Sequence, residues 1–222
     1  CGIPRDELFI TTKLRVEDAS EEGAKRAVDR SLELLGLGRL DLYLIHQPVG
    51  DVYGAWRTME KLHREGVLSA IGVSNFYPDR LVDFCFHQEI RPMVNQVEIN
   101  PFCLQASALP VMTEFGVQAE AWAPFAEGRN GLFENPVLKE VAQKHGRTVG
   151  QVVLRFVRQL GAVVVAKTVR PERMRENLDI FSFELDDEDM RKIRSLDTAT
   201  SQFFSHRDPA IVKWMSTRHI EH

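Results

Sequence analysis

Apolar positions follow two periods along this chain, and the periods take turns. Short β-branched and aliphatic runs occur at residues 8–14 (LFITTKL), 41–46 (DLYLIH), 70–76 (AIGVSNF), 94–100 (VNQVEIN), 117–124 (VQAEAWAP) and 162–167 (AVVVAK). Each has the length and composition of a strand. Several are apolar almost throughout, as strands buried on both faces are. Between them the period lengthens to that of a helix. Ser20 stands ahead of Ala24, Ala27, Val28, Leu32 and Leu35, and Gly36 closes that stripe. Val52, Ala55, Trp56, Met59 and Leu62 form a second stripe, ended by Gly66. Pro78 opens a short helix carrying Leu81, Val82 and Cys85, and residues 106–115 read as another. After a glycine-bearing loop, FAEGRNGLF, the pair Asn135-Pro136 caps and starts a helix with Val137, Leu138, Val141 and Ala142. Thr148 caps one with Val152, Val153, Phe156 and Leu160. Pro171 starts one that runs through Met174 and Leu178, and a last helix is expected over 186–196. The tail beyond holds Phe203, Phe204 and Trp214 without a clear period.

Strand followed by helix, repeated six times, predicts a parallel sheet with helical crossovers. An open doubly wound sheet and a closed barrel both satisfy that order. No GxGxxG or GxxxxGK[ST] follows any strand, which counts against a Rossmann domain or a P-loop. Polar residues at the C-terminal ends of successive strands favour the barrel: Lys13, His46, Ser74-Asn75, Gln96 with Glu98, and Lys167-Thr168. In an eight-fold barrel that rim is where ligands and chemistry sit. The expected organisation is a single (β/α) barrel domain over residues 1–222, with 197–222 as a C-terminal loop or tail.

The formal net charge is −4 with no Lys/Arg-rich run, so neither nucleic acid nor an acidic membrane surface is expected as a partner. No apolar run approaches the ~20 residues of a membrane span, and no signal peptide is visible. The cysteines, Cys1, Cys85 and Cys103, are odd in number and lack a CxxC spacing. Neither a disulfide framework nor a zinc site is expected, and a reducing, cytoplasmic location fits best. His46 ends the run DLYLIH and is followed by Pro48 and Gly50. By itself it reads either as a core histidine with one hydrogen-bond partner or as part of a catalytic rim.

ELFITTKL, DLYLIHQP, IGVSNF, VNQVEINP and VVVAKTVRPERMRENL, in this order and spacing, resemble the aldo-keto reductases. The likeness runs from Leu8 to about Leu196. It implies a TIM-type (β/α)8 barrel and NADPH-dependent reduction of aldehydes or ketones to alcohols, by a cytoplasmic monomer acting on a small-molecule carbonyl substrate. By position, Lys13 matches the lysine that pairs with the family's catalytic tyrosine, and an ammonium there would lower that tyrosine's pKa. His46 matches the histidine that orients the substrate carbonyl, a task for a neutral imidazole N–H. Ser74, Asn75 and Gln96 match positions that hold the nicotinamide carboxamide, whose acceptor and two donors suit amides and hydroxyls. Trp122 matches the aromatic that stacks on the nicotinamide ring. Lys167, Thr168 and Arg173 match the 2′-phosphate site of NADP(H), and Asn177 matches an adenine contact. The physical reading agrees at Pro171, a helix N-terminus beside two cations. Arg175 reads instead as part of a charged helix face with Glu172 and Glu176.

The sequence departs from the family at Gln47 and Arg15, where tryptophans are common, and at Ala123, where serine is common. The first two make part of the expected substrate pocket more polar. The family also uses eight strands, and six are counted here. Its tyrosine acid and an aspartate partner come from strand ends ahead of the TTK motif. Tyr43, Tyr53 and Tyr77, the three tyrosines of the chain, do not match that position. The first two βα units are therefore expected to be absent from this chain, together with the acid and its partner. By itself the chain is expected to be inactive. The alternative is a cofactor-binding regulatory protein, or a fragment, without turnover.

Overall fold

The structure, a computed structural model, describes residues 2–217; Cys1, His219, Glu221 and His222 lie outside the described residues. All six expected strands form: β1 (Thr11–Leu14), β2 (Leu42–Ile45), β3 (Ile71–Ser74), β4 (Val94–Glu98), β5 (Gln118–Trp122) and β6 (Val163–Val164). Their order in the sheet is their order in the chain. The pairings are parallel, with Lys13 opposite Leu44, Leu44 opposite Gly72 and Glu120 opposite Val163. The expected helices also form: α1 (Glu21–Leu35), α2 (Val52–Arg64), α3 (Pro78–His87), α4 (Ala108–Glu114), α5 (Pro136–His145), α6 (Val149–Gln159), α7 (Pro171–Leu178) and α8 (Asp187–Arg194). The segment read as a tail contains a further helix, α9 (Pro209–Thr217). Its start signal lay in the sequence: Asp208 Oδ1 accepts from Ala210 N at 2.8 Å, with Pro209 at the first helical position.

The chain divides into two compact units, residues 1–95, 111–117 and 206–222, and residues 96–110 and 118–205. In the first unit, Ser20 Oγ accepts from Gly23 N at 3.0 Å to cap α1, and Gly36, at φ 64°, closes it. Helix α1 buries Ala24 and Val28, and α2 buries Val52, Ala55, Trp56, Met59 and Leu62. Trp56, Phe76 and Tyr53 surround Phe84 with ring centroids 5.1–5.2 Å from it, an aromatic core under β2 and β3. Gly72 has no room for a side chain: a Cβ there would lie 2.6 Å from Val94 O and 2.7 Å from Leu44 Cδ2. The glycine of IGVSNF is therefore a packing requirement of β3.

In the second unit, α6 carries a capping box between Thr148 and Gln151 and buries Val152, Val153, Leu154, Phe156 and Val157. Asn135 Oδ1 caps α5 by accepting from Val137 N at 3.0 Å. The loop FAEGRNGLF is irregular as expected, with Ala126, Glu127, Gly128, Asn130 and Gly131 all at positive φ. Cys85 and Cys103 are free and buried.

Candidate active site

In the first unit the chemistry-bearing residues gather where β1, β2 and β3 end. Lys13 lies in β1, His46 directly follows β2, and Ser74 closes β3. His46 is half-buried, and its backbone N–H donates to Leu14 O at 3.0 Å. Burial, reinforced by the Lys13 and Arg15 charges beside it, pulls the imidazole down to about 4. The ring is thus neutral at neutral pH and retains an N–H to donate.

Asn75 takes up the left-handed region at φ 62°, which asparagine tolerates better than most residues. The turn brings its Nδ2 back onto the preceding strand ends, donating to His46 O at 3.3 Å, Gln47 Oε1 at 3.2 Å and Ser74 Oγ at 3.2 Å. The following residue is clamped as well. Asn95, fully buried in β4, donates to Phe76 O at 2.9 Å and accepts from Phe76 N at 3.4 Å. Sequence reasoning passed over Asn95, although it was the polar residue beside Gln96 in an otherwise strand-like run.

His206 was missed too, because nothing in the tail's pattern marked it. Burial, with His46 as a neighbour, pulls its imidazole to about 4. Its ring sits edge-on to Tyr77 at 6.3 Å. Arg207 covers the Tyr77 ring at 4.3 Å and pairs with Asp79. Tyr43 has no exposed surface, and burial pushes its hydroxyl up to about 12. Tyr53 donates to Asp83.

In the second unit, Gln96 in β4 and Trp122 at the end of β5 are buried and half-buried. Gln96 Nε2 donates to the carboxylate of Glu120, itself buried in β5. Phe203 lies against Trp122, ring centroids 5.1 Å apart at 53°. The segment bearing Phe203 is tied down by Glu98, which accepts from Ser201 Oγ, Gln202 N and Asn100 Nδ2. From the 126–134 loop, Arg129 stacks over Phe203 at 4.3 Å and donates to Gln202 O at 3.0 Å.

Lys167 and Thr168 lie between β6 and α7, and Arg173 and Asn177 lie on α7. Lys167 and Arg173 are exposed, whereas Thr168 and Asn177 are half-buried and line a cleft of about 410 Å³ walled by Leu154, Val164 and Met174. Thr168 Oγ1 accepts from Arg170 N at 3.2 Å, which fixes the approach to the helix. Glu176, read above as part of a charged face with Arg175, instead accepts from Thr148 Oγ1. Among the described residues no acidic group pairs with Arg173.

A family model described as the Aldo/keto reductase family matches residues 2–198. The chain belongs to the aldo/keto reductase family. Its fold class is accordingly the TIM-type α/β class, here with six parallel strands. Among curated relatives it is 46% identical over 196 residues to glyoxal reductase of Bacillus subtilis (strain 168), covering 88% of this chain and 70% of that protein. Among solved structures it is similar to the aldo-keto reductase MGS-M4 from a Medee basin deep-sea metagenome library. That likeness has a TM-score of 0.91 and 37% identity, over 94% of this chain and 78% of that one. A Bombyx mori aldo-keto reductase in complex with NADP gives a TM-score of 0.87 and 29% identity, over 96% of this chain and 73% of that one. Aldo/keto reductases are oxidoreductases, and the general reading of the sequence holds at that level. No helix among the described residues is long and apolar enough to cross a membrane.

Proposed function

We propose that the protein reduces a small polar aldehyde or ketone to its alcohol, with NADPH as hydride donor. The observation that carries this reading is His46: a half-buried imidazole, held neutral beside the Lys13 ammonium, at the end of a parallel strand. A neutral N–H there donates to a carbonyl oxygen without bringing a full charge. The donor set fits the cofactor. Ser74 and Asn75 offer a hydroxyl and an amide of the kind that a carboxamide requires, and Gln96 is an amide of the same kind. Trp122 offers a ring face. Lys167 and Arg173 present cations at the start of α7 that no acidic group among the described residues neutralises, which suits a 2′-phosphate. Bound NADPH would supply the hydride.

His46 orients the carbonyl, and Lys13 lowers the pKa of the tyrosine that gives up the proton. Tyr43 is fully buried within the first unit, Tyr53 donates to Asp83 and Tyr77 lies under Arg207, so the acid and its aspartate partner are assigned to residues outside 1–222. The half-buried Arg15 and Gln47, with His206, give the rim a polar character. Glyoxal, for which the Bacillus relative is named, therefore goes first in a substrate panel. We place the enzyme in the cytoplasm as a monomer; the free, buried Cys85 and Cys103 support the reducing location.

The test is NADPH oxidation by the full-length protein across a carbonyl panel, where no turnover on any member would sink the proposal. A second reading, a cofactor-binding regulatory protein, draws support from the burial of Tyr43 and from the contacts of Tyr53 with Asp83 and of Tyr77 with Arg207. Tight NADPH binding without turnover by the full-length protein would select it.

A further inference from the structure

The residue that stands out beyond this assignment is Glu120. It is the charged residue of β5, between Ala119 and Ala121, and on the same strand face as Trp122 two positions on. Only 8% of its surface is exposed, and Gln96 beside it is 4% exposed. Burying a carboxylate is unfavourable unless it is paired. Among the described residues no lysine, arginine or histidine nitrogen comes within 4.0 Å of Glu120, and its hydrogen bond there is the one from Gln96 Nε2. An apolar residue would fill this place in the strand without that penalty.

A carboxylate can only accept, whereas a glutamine amide carries a donor end and an acceptor end that are otherwise interchangeable. The contact therefore decides how Gln96 lies, with nitrogen toward Glu120 and oxygen away from it. We infer that Glu120 is a positioning residue for the nicotinamide end of the cofactor. By holding the Gln96 nitrogen, it orients the Gln96 oxygen as the acceptor for a carboxamide N–H. This rests on the NADP(H) reading above and adds a residue which that reading did not include.

The experiment measures equilibrium affinity of the full-length protein for two probes, NADPH and 2′,5′-ADP, which keeps the 2′-phosphate and adenine but lacks nicotinamide. Glu120→Leu should fold, since replacing a buried charge by an apolar residue is often neutral or stabilising. It should bind NADPH on the order of tenfold more weakly, with 2′,5′-ADP affinity unchanged. Glu120→Gln retains an accepting oxygen and should restore most of the NADPH affinity. Gln96→Ala combined with Glu120→Leu should be no weaker than Gln96→Ala alone, because the two residues act through one contact. Should the leucine variant fail to fold, Glu120→Asp retracts the acceptor by one methylene and should show the same selective loss. Equal losses for both probes, unchanged NADPH affinity, or additive effects in the double variant would each overturn the inference while leaving the NADP(H) reading intact. A wild-type protein that binds neither probe would overturn both.

Discussion

At the scale of single residues, the depressed titration of His46 and His206 sets a pH dependence with a defined sign. Each imidazole sits at about 4 in the folded chain and near 6.5 when unfolded. Between those values the unfolded state binds more protons. Stability is therefore whole above pH 6.5 and is lost as pH falls toward 4. Melting temperature measured across that window should drop more steeply in the wild type than in a His206→Phe variant; parallel curves would contradict the assignment. Arg173→Ala should weaken NADPH binding on the order of tenfold or more, the scale of one charge-assisted contact. NADH, which has no 2′-phosphate, should bind it as it binds the wild type. Replacing His46 by alanine should lower kcat/KM for a reducible carbonyl on the order of a hundredfold, with NADPH affinity little changed. His46 and Arg173 were legible because each lies inside a recognisable run of neighbours, DLYLIHQP for one and the segment after β6 for the other; His206 was not, since nothing in the tail's pattern marks it. Nor were Asn95 and Glu120. Their meaning comes from a partner on another segment, Phe76 for one and Gln96 for the other, and spacing along the chain does not reveal such pairs.

At the scale of elements, start signals located helices that the apolar period left loosely bounded. Ser20, Pro78, Asn135, Thr148 and Pro171 each stand within a residue of an observed helix start. Asn135→Ala should lower stability by about 1 kcal/mol, the usual cost of removing a side-chain cap, readable by denaturant titration. Asn95→Ala should cost more, about 1–3 kcal/mol, because it leaves buried backbone groups of Phe76 unsatisfied. It should also raise KM for NADPH by releasing the turn that holds Asn75. Helix α9 escaped notice because its apolar positions, Ala210, Ile211, Val212, Trp214 and Met215, show no clear helical period in so short a segment, so only Asp208-Pro209 announced it. Strand lengths were overestimated. The run AVVVAK pairs only at Val163–Val164, and beyond it the chain leaves the ladder toward Thr168 and α7.

At the scale of the whole molecule, both ends of the strand order carry exposed apolar side chains. Phe9 precedes β1 and is 71% exposed, with Leu34 of α1 at 75%; beside β6, Val163 and Val165 are 45% and 48% exposed. Exposed apolar strand edges pair with other chains. Residues 1–222 expressed alone should associate, eluting well above 25.3 kDa in size-exclusion chromatography, and Val163→Lys with Val165→Lys should reduce that. A monodisperse peak at the monomer mass would refute it. The tie between Glu98 and residues 201–202 has a consequence of a different kind, in the order of biosynthesis. The carboxylate leaves the ribosome 103 residues before Ser201 does. At ~5–20 residues per second that is about 5–20 s. Throughout that interval the strand end beneath the Phe203 segment holds a charge whose later partners do not yet exist. That corner of the second unit is therefore a place for a chaperone to act on the nascent chain, and one of the last to become resistant to proteases.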